Sequence, residues 1–324
     1  MGHMRFAVLT SGGDAPGMNA ALRGVVREAS SLGHVVLGVQ RGYYGLLEEH
    51  LIHLGPRDVS NILQRGGTFL RTSRCPEFAT PEGVKKAAET LRAHSVDALI
   101  AIGGNGTLSG CMRLADEWSG QILGLPGTID NDLYGTDETI GYDTAVTTAL
   151  DAIDKIRDTA EAHERHFLVE VMGRHAGFIA LQAALCGGAE EVLVPEDPVD
   201  LVAISERLQK GKRAGKTSSI LVVAEGAYPG GATAVAEELH KLTGNEYRVS
   251  VLGHMQRGGS PTGRDRLLST RLGAFAVRSA IAGETGKMAG DAGGHLVLVP
   301  FEDAVGKKKD LDRDLLALAR RLAL

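Results

Sequence analysis

Five times in this chain a short apolar run stops at a polar or glycine-rich turn. Arg5–Thr10 runs into Ser11-Gly12-Gly13-Asp14, and residues 96–102 run into Gly103-Gly104-Asn105-Gly106-Thr107. The run Ile122, Leu123, Leu125 passes Pro126-Gly127 and reaches Thr128-Ile129-Asp130-Asn131-Asp132. His166–Val171 leads to Met172-Gly173-Arg174, and residues 249–253 lead to His254-Met255-Gln256-Arg257-Gly258-Gly259-Ser260. Helical patterns lie between these runs, over 20–31, 81–94, 108–117, 144–159, up to 185, 201–212, 234–242, 265–282 and 309–323, with Thr233 placed to cap the seventh. Further strands are predicted at Val35–Val39, 191–195, Ser219–Ala224 and His295–Pro300. Strands alternating with helices over the whole length predict α/β architecture with mostly parallel sheets, because parallel neighbours need a crossover between them.

A chain of 324 residues exceeds one simple core, so two lobes are expected, with boundaries in short loops near Gly141 and Gly253. The net charge of -5 argues against general nucleic-acid or membrane binding, while leaving room for a local basic pocket. Cys75, Cys111 and Cys186 lie far apart with no CxxC pair, as in a reduced, cytosolic protein. There is no signal peptide and no apolar run approaching ~18 residues. Met1-Gly2-His3 before Met4 reads as a cloning remnant.

In an open α/β sheet, ligands sit at the carboxyl ends of the strands. An isolated TIDND turn is as readily an Asx-rich turn as a site. Five such turns, taken to share one edge, instead mark a large polar cleft, and the pair Asp130 and Asp132 beside Thr128 suits proton abstraction or metal work. Strand, Gly12-Gly13, then a helix is phosphate-binding geometry. The cations Arg74, Arg165, Arg174, Arg248, His254 and Arg257 flank these turns and suit phosphates as a group. Two familiar nucleotide signatures fail. Gly211 to Thr217 has three residues between its glycines where a P-loop needs four, and it precedes a strand. After Gly104-Asn105-Gly106 the third glycine of a dinucleotide fingerprint falls one position late, at Gly110.

The segments LTSGGDAPGMNAALRGVVR, RGGTFLRTSR, PGTIDNDLYGTD, VEVMGRHAGF, VVAEGAYPGG and VLGHMQRGGSPTGRDR resemble the bacterial 6-phosphofructokinase family, in order and over nearly the whole chain. The resemblance implies two parallel-sheet lobes: residues 4–140 with 254–302 for the nucleotide, and 141–253 with 303–324 for sugar phosphate and effector. It implies a cytoplasmic homotetramer that moves a phosphoryl group from ATP-Mg to the 1-hydroxyl of fructose 6-phosphate in glycolysis. By the same resemblance Asp130 is the general base, and Thr128 and Asp132 position the reacting groups and the metal. Gly12 donates its N–H to the transferring phosphoryl, and Arg74 and Arg174 stabilise its charge. Met172, Gly173, Glu225, His254 and Arg257 match the sugar-phosphate pocket, which Arg165 and Arg248 reach from a neighbouring subunit. Tyr43, Cys75, Gly104, Asn105, Gly106, Thr107 and Gly110 match the nucleotide site.

The family also contains pyrophosphate users. Gly106 and Gly127 stand where those carry bulkier residues, which favours ATP. The family pattern has a magnesium-associated Asp where this chain has Asn105, so a weakened enzyme, or a protein that only binds sugar phosphate and nucleotide, is the further alternative. Arg23, Arg27, Arg157, Glu190 and Lys216 match residues that bind regulatory ADP or phosphoenolpyruvate. Pro56, Ala214 and Ser218 replace expected basic residues there, which puts the allosteric response in question.

Overall fold

The computed structural model describes residues 2–323. In chain order its elements are β1 (Arg5–Thr10), α1 (Met18–Ser31), β2 (Val35–Val39), α2 (Tyr43–Leu47), β3 (Leu51–Leu54), α3 (Pro81–Ala93), β4 (Ala98–Gly103), α4 (Asn105–Glu117) and β5 (Gln121–Pro126). Then come α5 (Tyr142–Ala162), β6 (His166–Val171), α6 (Phe178–Cys186), β7 (Glu191–Leu193), α7 (Leu201–Arg213), β8 (Ser219–Ala224), α8 (Gly231–Thr243) and β9 (Tyr247–Val251). The chain closes with α9 (Gly263–Ile281), β10 (Lys287–Ala292), β11 (His295–Pro300), α10 (Phe301–Gly306) and α11 (Arg313–Leu322).

The chain divides into two compact units. The first holds the residues up to 129, with 133–144 and 257–309; the second holds 130–132, 145–256 and the residues from 310. The first unit carries a seven-stranded sheet in the order β11-β10-β5-β4-β1-β2-β3. Its centre is parallel, and β3 and β11 run antiparallel at the two edges. The second carries a four-stranded, all-parallel sheet in the order β7-β8-β6-β9. The central strands read as continuous apolar runs because helices cover both of their faces, and every residue of β4 is buried. Leu9, Val39, Leu99 and Ala101 pack on one side of the larger sheet with Tyr43, Leu91, Leu108 and Leu114 from the helices. Leu168, Leu221 and Val223 form the smaller core with Val235 and Leu239 of α8.

Several sequence expectations need correction. The five turns do not share one sheet: three follow β1, β4 and β5, and two follow β6 and β9. The fourth helix begins at Asn105, three residues ahead of the expected start, because the extended Gly104 already offers its carbonyl to Thr107 N and Leu108 N. Asn105, Gly106 and Thr107 therefore form a helical first turn where a loop was expected. Thr233 does not cap α8; it lies inside it, behind Gly230, and Glu170 Oε2 accepts Ala232 N (2.7 Å) in the role a local cap would have. The tail helix starts at Arg313, where the Asp312 carboxylate accepts Leu315 N (2.8 Å). The pattern reading missed β3, α2 and α10, which are short, and β10, whose sequence Lys287–Ala292 holds only one large apolar residue, Met288.

The cysteines differ in chemical availability. Cys111 is sealed in the larger core, where burial pushes its thiol up to about 12, whereas Cys186 is exposed at the end of α6. A raised thiol pKa removes the reactive thiolate at ordinary pH. At pH 8, a thiol-labelling reagent should modify Cys186 in the native protein and reach Cys111 only after denaturant is added. Mass spectrometry of the native reaction decides this, and native labelling of Cys111 would contradict the packing.

Candidate active site

In the larger sheet β1 lies between β4 and β2; the chain leaves β1 for β2 and β3 on one side, then crosses over to β4 on the other. This is a topological switch point, where the loops at the carboxyl ends diverge and leave a crevice. Two phosphate-binding features meet there. Gly12 follows β1 with φ of 82°, a backbone that favours glycine, and it is exposed. Beside it α4 opens one residue after β4 and directs its first N–H groups outward, with the positive end of the helix dipole. A Cβ on Gly12 would lie 3.5 Å from Thr107 Oγ1, so the turn and the first turn of α4 are neighbours. Thr107 Oγ1 itself is buried with no hydrogen-bond partner in the protein. A buried polar atom left in that state calls for a ligand or water.

The segment 65–74 is tied onto the same sheet end. Thr10 Oγ1 donates to Arg71 O (3.0 Å), and Thr72 Oγ1 donates to Gly12 O (2.8 Å). Asn19, buried in the first turn of α1, accepts Phe69 N (2.6 Å) and donates to Arg65 O (3.0 Å). This leaves Arg74 exposed beside the turn, and Cys75 half-buried. Arg257 Nη1 donates to Asp14 O (3.4 Å) and stands over Gly13. Sequence reasoning passed over Asn19, whose only signal was a polar residue in an apolar helix start.

Tyr43 and Gly110 are placed behind this surface. The Tyr43 ring is fully buried, stacks on Phe78 at 3.9 Å between centroids, and donates from its hydroxyl to Thr107 O (2.6 Å). Burial pushes its phenol well above the ordinary value, so it stays a donor. Tyr43 thus braces the first turn of α4. After β5, Thr128, Asp130 and Asn131 are buried and Asp132 is half-buried, and Asn131 takes φ of 55°. Thr139 Oγ1 donates to Thr128 O (2.6 Å), and Ile140 N donates to Pro126 O (2.8 Å).

The smaller sheet has its own switch point. The chain leaves β6 towards β7 and β8 and returns to its other side as β9. Buried Gln256 links the two strand ends, accepting Met172 N (2.8 Å) and donating to Ala145 O (3.2 Å). Arg174 N donates to Glu225 Oε1 (2.7 Å), and Gly173 takes φ of 140°. A polar cavity of about 720 Å³ opens here, lined by Arg174, His175, Glu225 and Glu170 among others. His254 is exposed on the short helical turn after β9. Arg165 and Arg248 lie at the other end of these strands, where Phe167 pairs with Arg248. Seven residues separate Arg165 from Met172, roughly 23 Å at the rise of an extended strand. Within one chain these two arginines and the Met172–Arg174 turn therefore face opposite ends of one sheet.

The residues matched to an effector site fall into two groups. Arg23 and Arg27 share α1, and Arg27 Nη2 donates to Pro56 O (3.4 Å). In the second unit Arg157 donates to Gly187 O (2.6 Å) and Gly188 O (2.7 Å), and Glu190 lies 4.0 Å from Arg157 and 3.4 Å from Lys216. Glu190, Lys216, Ala214 and Ser218 line a cavity of about 370 Å³. Among the described residues no three His, Cys, Asp or Glu side chains form a group able to hold a metal ion.

Comparison with known proteins agrees with this geometry. The phosphofructokinase family model matches residues 5–280. The chain is 56% identical over 320 residues to ATP-dependent 6-phosphofructokinase 1 of Thermus thermophilus, covering 99% of both chains. It is 49% identical over 322 residues to ATP-dependent 6-phosphofructokinase 2 of Bacteroides thetaiotaomicron, covering 98% of both. The solved phosphofructokinase of Saccharomyces cerevisiae matches with a TM-score of 0.88 and 36% identity, covering 94% of this chain and 45% of the yeast chain.

Packing at the α4 surface is testable by two alanine substitutions. A Cβ on Gly110 would stand 2.8 Å from Tyr43 ring atoms, whereas one on Gly106 meets nothing within 4 Å. Gly110→Ala should cost about 1–3 kcal/mol through overpacking. Gly106→Ala should be neutral or slightly stabilising, since alanine outranks glycine in a helix. Urea unfolding reads both; equal midpoints for the two variants would contradict the bracing role of Tyr43.

Proposed function

The chain belongs to the phosphofructokinase family, and from that premise we propose how its residues divide the transfer of the terminal phosphoryl group of ATP to the 1-hydroxyl of fructose 6-phosphate. It is an ATP-dependent 6-phosphofructokinase, giving fructose 1,6-bisphosphate and ADP. The observation that carries the reading is the phosphate-ready crevice at β1 and β4, with Gly12, the α4 N-terminus and the orphaned Thr107 hydroxyl together.

Asp130 accepts the proton of the 1-hydroxyl as the sugar oxygen bonds to the γ-phosphorus and the bond from phosphorus to the β-phosphate oxygen breaks. Burial of this turn keeps bulk water from the carboxylate. Gly12 N–H, Arg74 and Arg174 stabilise the charge on the transferring group, so the work is positioning and electrostatics. Thr128 and Asp132 orient the acceptor and donor. Met172, Gly173, Arg174, Glu225, His254 and Arg257 hold the sugar phosphate. Arg165 and Arg248 complete that pocket from a neighbouring subunit, a reading that their place at the far strand ends supports. The assembly in this reading is a homotetramer in the cytoplasm. Separately, no helix among the described residues is long and apolar enough to cross a membrane.

ATP rests on the α4 turn, Asn105, Gly106 and Thr107, with Gly104 and Cys75 at its borders and Tyr43 and Gly110 behind. The open space at Gly106 favours a donor larger than pyrophosphate. Mg2+ suits this donor set: it keeps waters and substrate phosphates as ligands, so one or two protein oxygens suffice, here Asn105 and Asp132. When bound it neutralises charge on the β and γ phosphates. Arg23, Arg27, Arg157, Glu190 and Lys216 receive ADP or phosphoenolpyruvate, and the weak basic character left by Pro56, Ala214 and Ser218 makes this response shallow.

Two substitutions test the reading. Asp130→Asn should lower turnover by about two to four orders of magnitude while fructose 6-phosphate still binds. Turnover above about a tenth of the parent would remove Asp130 as the base, and a faster parent rate with pyrophosphate than with ATP would reassign the donor.

Asn105→Asp should raise turnover roughly tenfold or more, equivalent to about 1.4 kcal/mol of barrier, and lower the magnesium requirement. A carboxylate at the first position of α4 also complements the helix dipole, so stability should hold or rise by about 0.3–1 kcal/mol. Magnesium titration at saturating sugar phosphate is the measurement. No gain at any magnesium concentration would separate residue 105 from the metal.

A further inference from the structure

Asp265 is a carboxylate that none of these steps uses, yet it is 1% exposed. Its segment, Thr262-Gly263-Arg264-Asp265, has the form of a capping box: Thr262 Oγ1 accepts Asp265 N (3.2 Å) at the start of α9. In such a box the acid returns to the N–H of the cap residue. Here it does not. Thr262 N donates to Thr144 Oγ1 (3.0 Å), and the Asp265 carboxylate turns to another helix. Its Oδ1 accepts Gly141 N (2.8 Å), and its Oδ2 accepts Thr144 N (2.8 Å) and Thr144 Oγ1 (2.5 Å). These are N–H groups at the start of α5 that have no partner within their own helix. Burial pushes Asp265 up to about 6, so at neutral pH both oxygens still accept.

The bonds continue from Gly141 towards the catalytic turn. Gly127 and Ile140 form a bridge, Ile140 N donates to Pro126 O (2.8 Å), and Thr139 Oγ1 donates to Thr128 O (2.6 Å). Gly127 N also donates to Gly103 O (3.0 Å), at the end of β4. Residues 127 and 128 are thus held between β4 and a strap, 139–144, whose far end is fastened by one carboxylate. Two residues later the chain delivers Asp130.

We propose that Asp265 and Thr144 form a buried clasp that sets the position of the catalytic turn, making Asp265 a positioning residue for phosphoryl transfer. This rests on the role given to Asp130 above. The Asp265 carboxylate fixes the strap, and the strap fixes Thr128 and the backbone leading to Asp130.

The test compares the parent with Asp265→Asn, Thr144→Val and Thr144→Ser. An Asn turns one accepting oxygen into a donor, so either Gly141 N or the two Thr144 donors lose their acceptor, and a Val keeps the shape of Thr144 without its hydroxyl. Because a shift of about 1 Å can cost as much as a hundredfold in rate, both should lower kcat about ten- to a hundredfold, with KM for fructose 6-phosphate within about threefold. Thr144→Ser keeps the hydroxyl and should stay within about twofold of the parent by the same argument. Hydrogen exchange across residues 127–132 should quicken in Asp265→Asn and Thr144→Val, while β1 and β4 keep their protection. If Asp265→Asn fails to fold, Thr144→Val decides. A lowered melting temperature with unchanged kcat would make the clasp scaffold only and overturn the proposal, as would Thr144→Ser as slow as Thr144→Val. A parent with no ATP-dependent turnover would sink the assigned activity; the clasp would then stand or fall on the exchange of 127–132.

Discussion

The reversal of strand order at β1 governs what this protein can do. With β2 on one side and β4 on the other, the loops leaving the strand ends must part and leave a gap between them. Backbone polar groups are costly to bury without partners, so such a gap is a natural seat for an anion. The strands around it are buried on both faces, and close packing leaves them little freedom to shift. The smaller sheet repeats the device at β6 and β9 with different furniture: a buried glutamine, a cationic turn and a polar cavity. One unit presents a glycine turn and a helix N-terminus at its strand ends, and the other presents an arginine and two carboxylates around a polar cavity.

Loop positions are held by buried and half-buried side chains acting over long sequence distances. Asn19 holds the 65–69 segment, Gln256 joins the ends of β6 and β9, Glu170 caps α8, and Asp265 caps α5. Each hydrogen bond of this kind adds only about 0.5–1.5 kcal/mol net, yet losing one partner leaves the other stranded at a cost of about 1–3 kcal/mol. That asymmetry suits such bonds to fixing geometry: displacement is expensive even when the bond itself contributes little stability. Phosphoryl transfer depends on placing an acceptor, a donor and a carboxylate within fractions of an ångström, so the fold invests its buried polar groups in the strand-end turns.

Asn105 shows how a single charge is separated from the scaffold that carries it. As the first residue of α4 it keeps the helix start, the open space at Gly106 and the brace from Tyr43. What it lacks is the negative charge the family pattern places there. Shape and electrostatics at this position are therefore independent. On the proposed reading, the helix start that would receive the phosphates keeps its shape while an amide there offers a divalent cation a weaker field than a carboxylate would.

Much of the architecture was legible in the residues. Apolar runs of the right length, each closed by glycine or Asx, imply parallel strands and name the turns after them, since the fully buried strand and the glycine turn both leave local signatures. The motifs around Gly12, Asp130, Arg174 and His254 identified the family before any coordinates. Local patterns could not say that the five turns belong to two sheets, because sheet membership depends on pairings between distant strands. They misplaced the start of α4 because Gly104 and Gly106 read as a loop, and they gave α8 a threonine cap where a carboxylate from β6 serves. The helical pattern from Asp265 onward says nothing of where that residue's carboxylate goes. Only the tertiary structure carried that carboxylate to Gly141 and Thr144, more than a hundred residues away in sequence. A side chain's partner is decided by which backbone donors the whole fold leaves unpaired beside it, and no window of sequence contains that information.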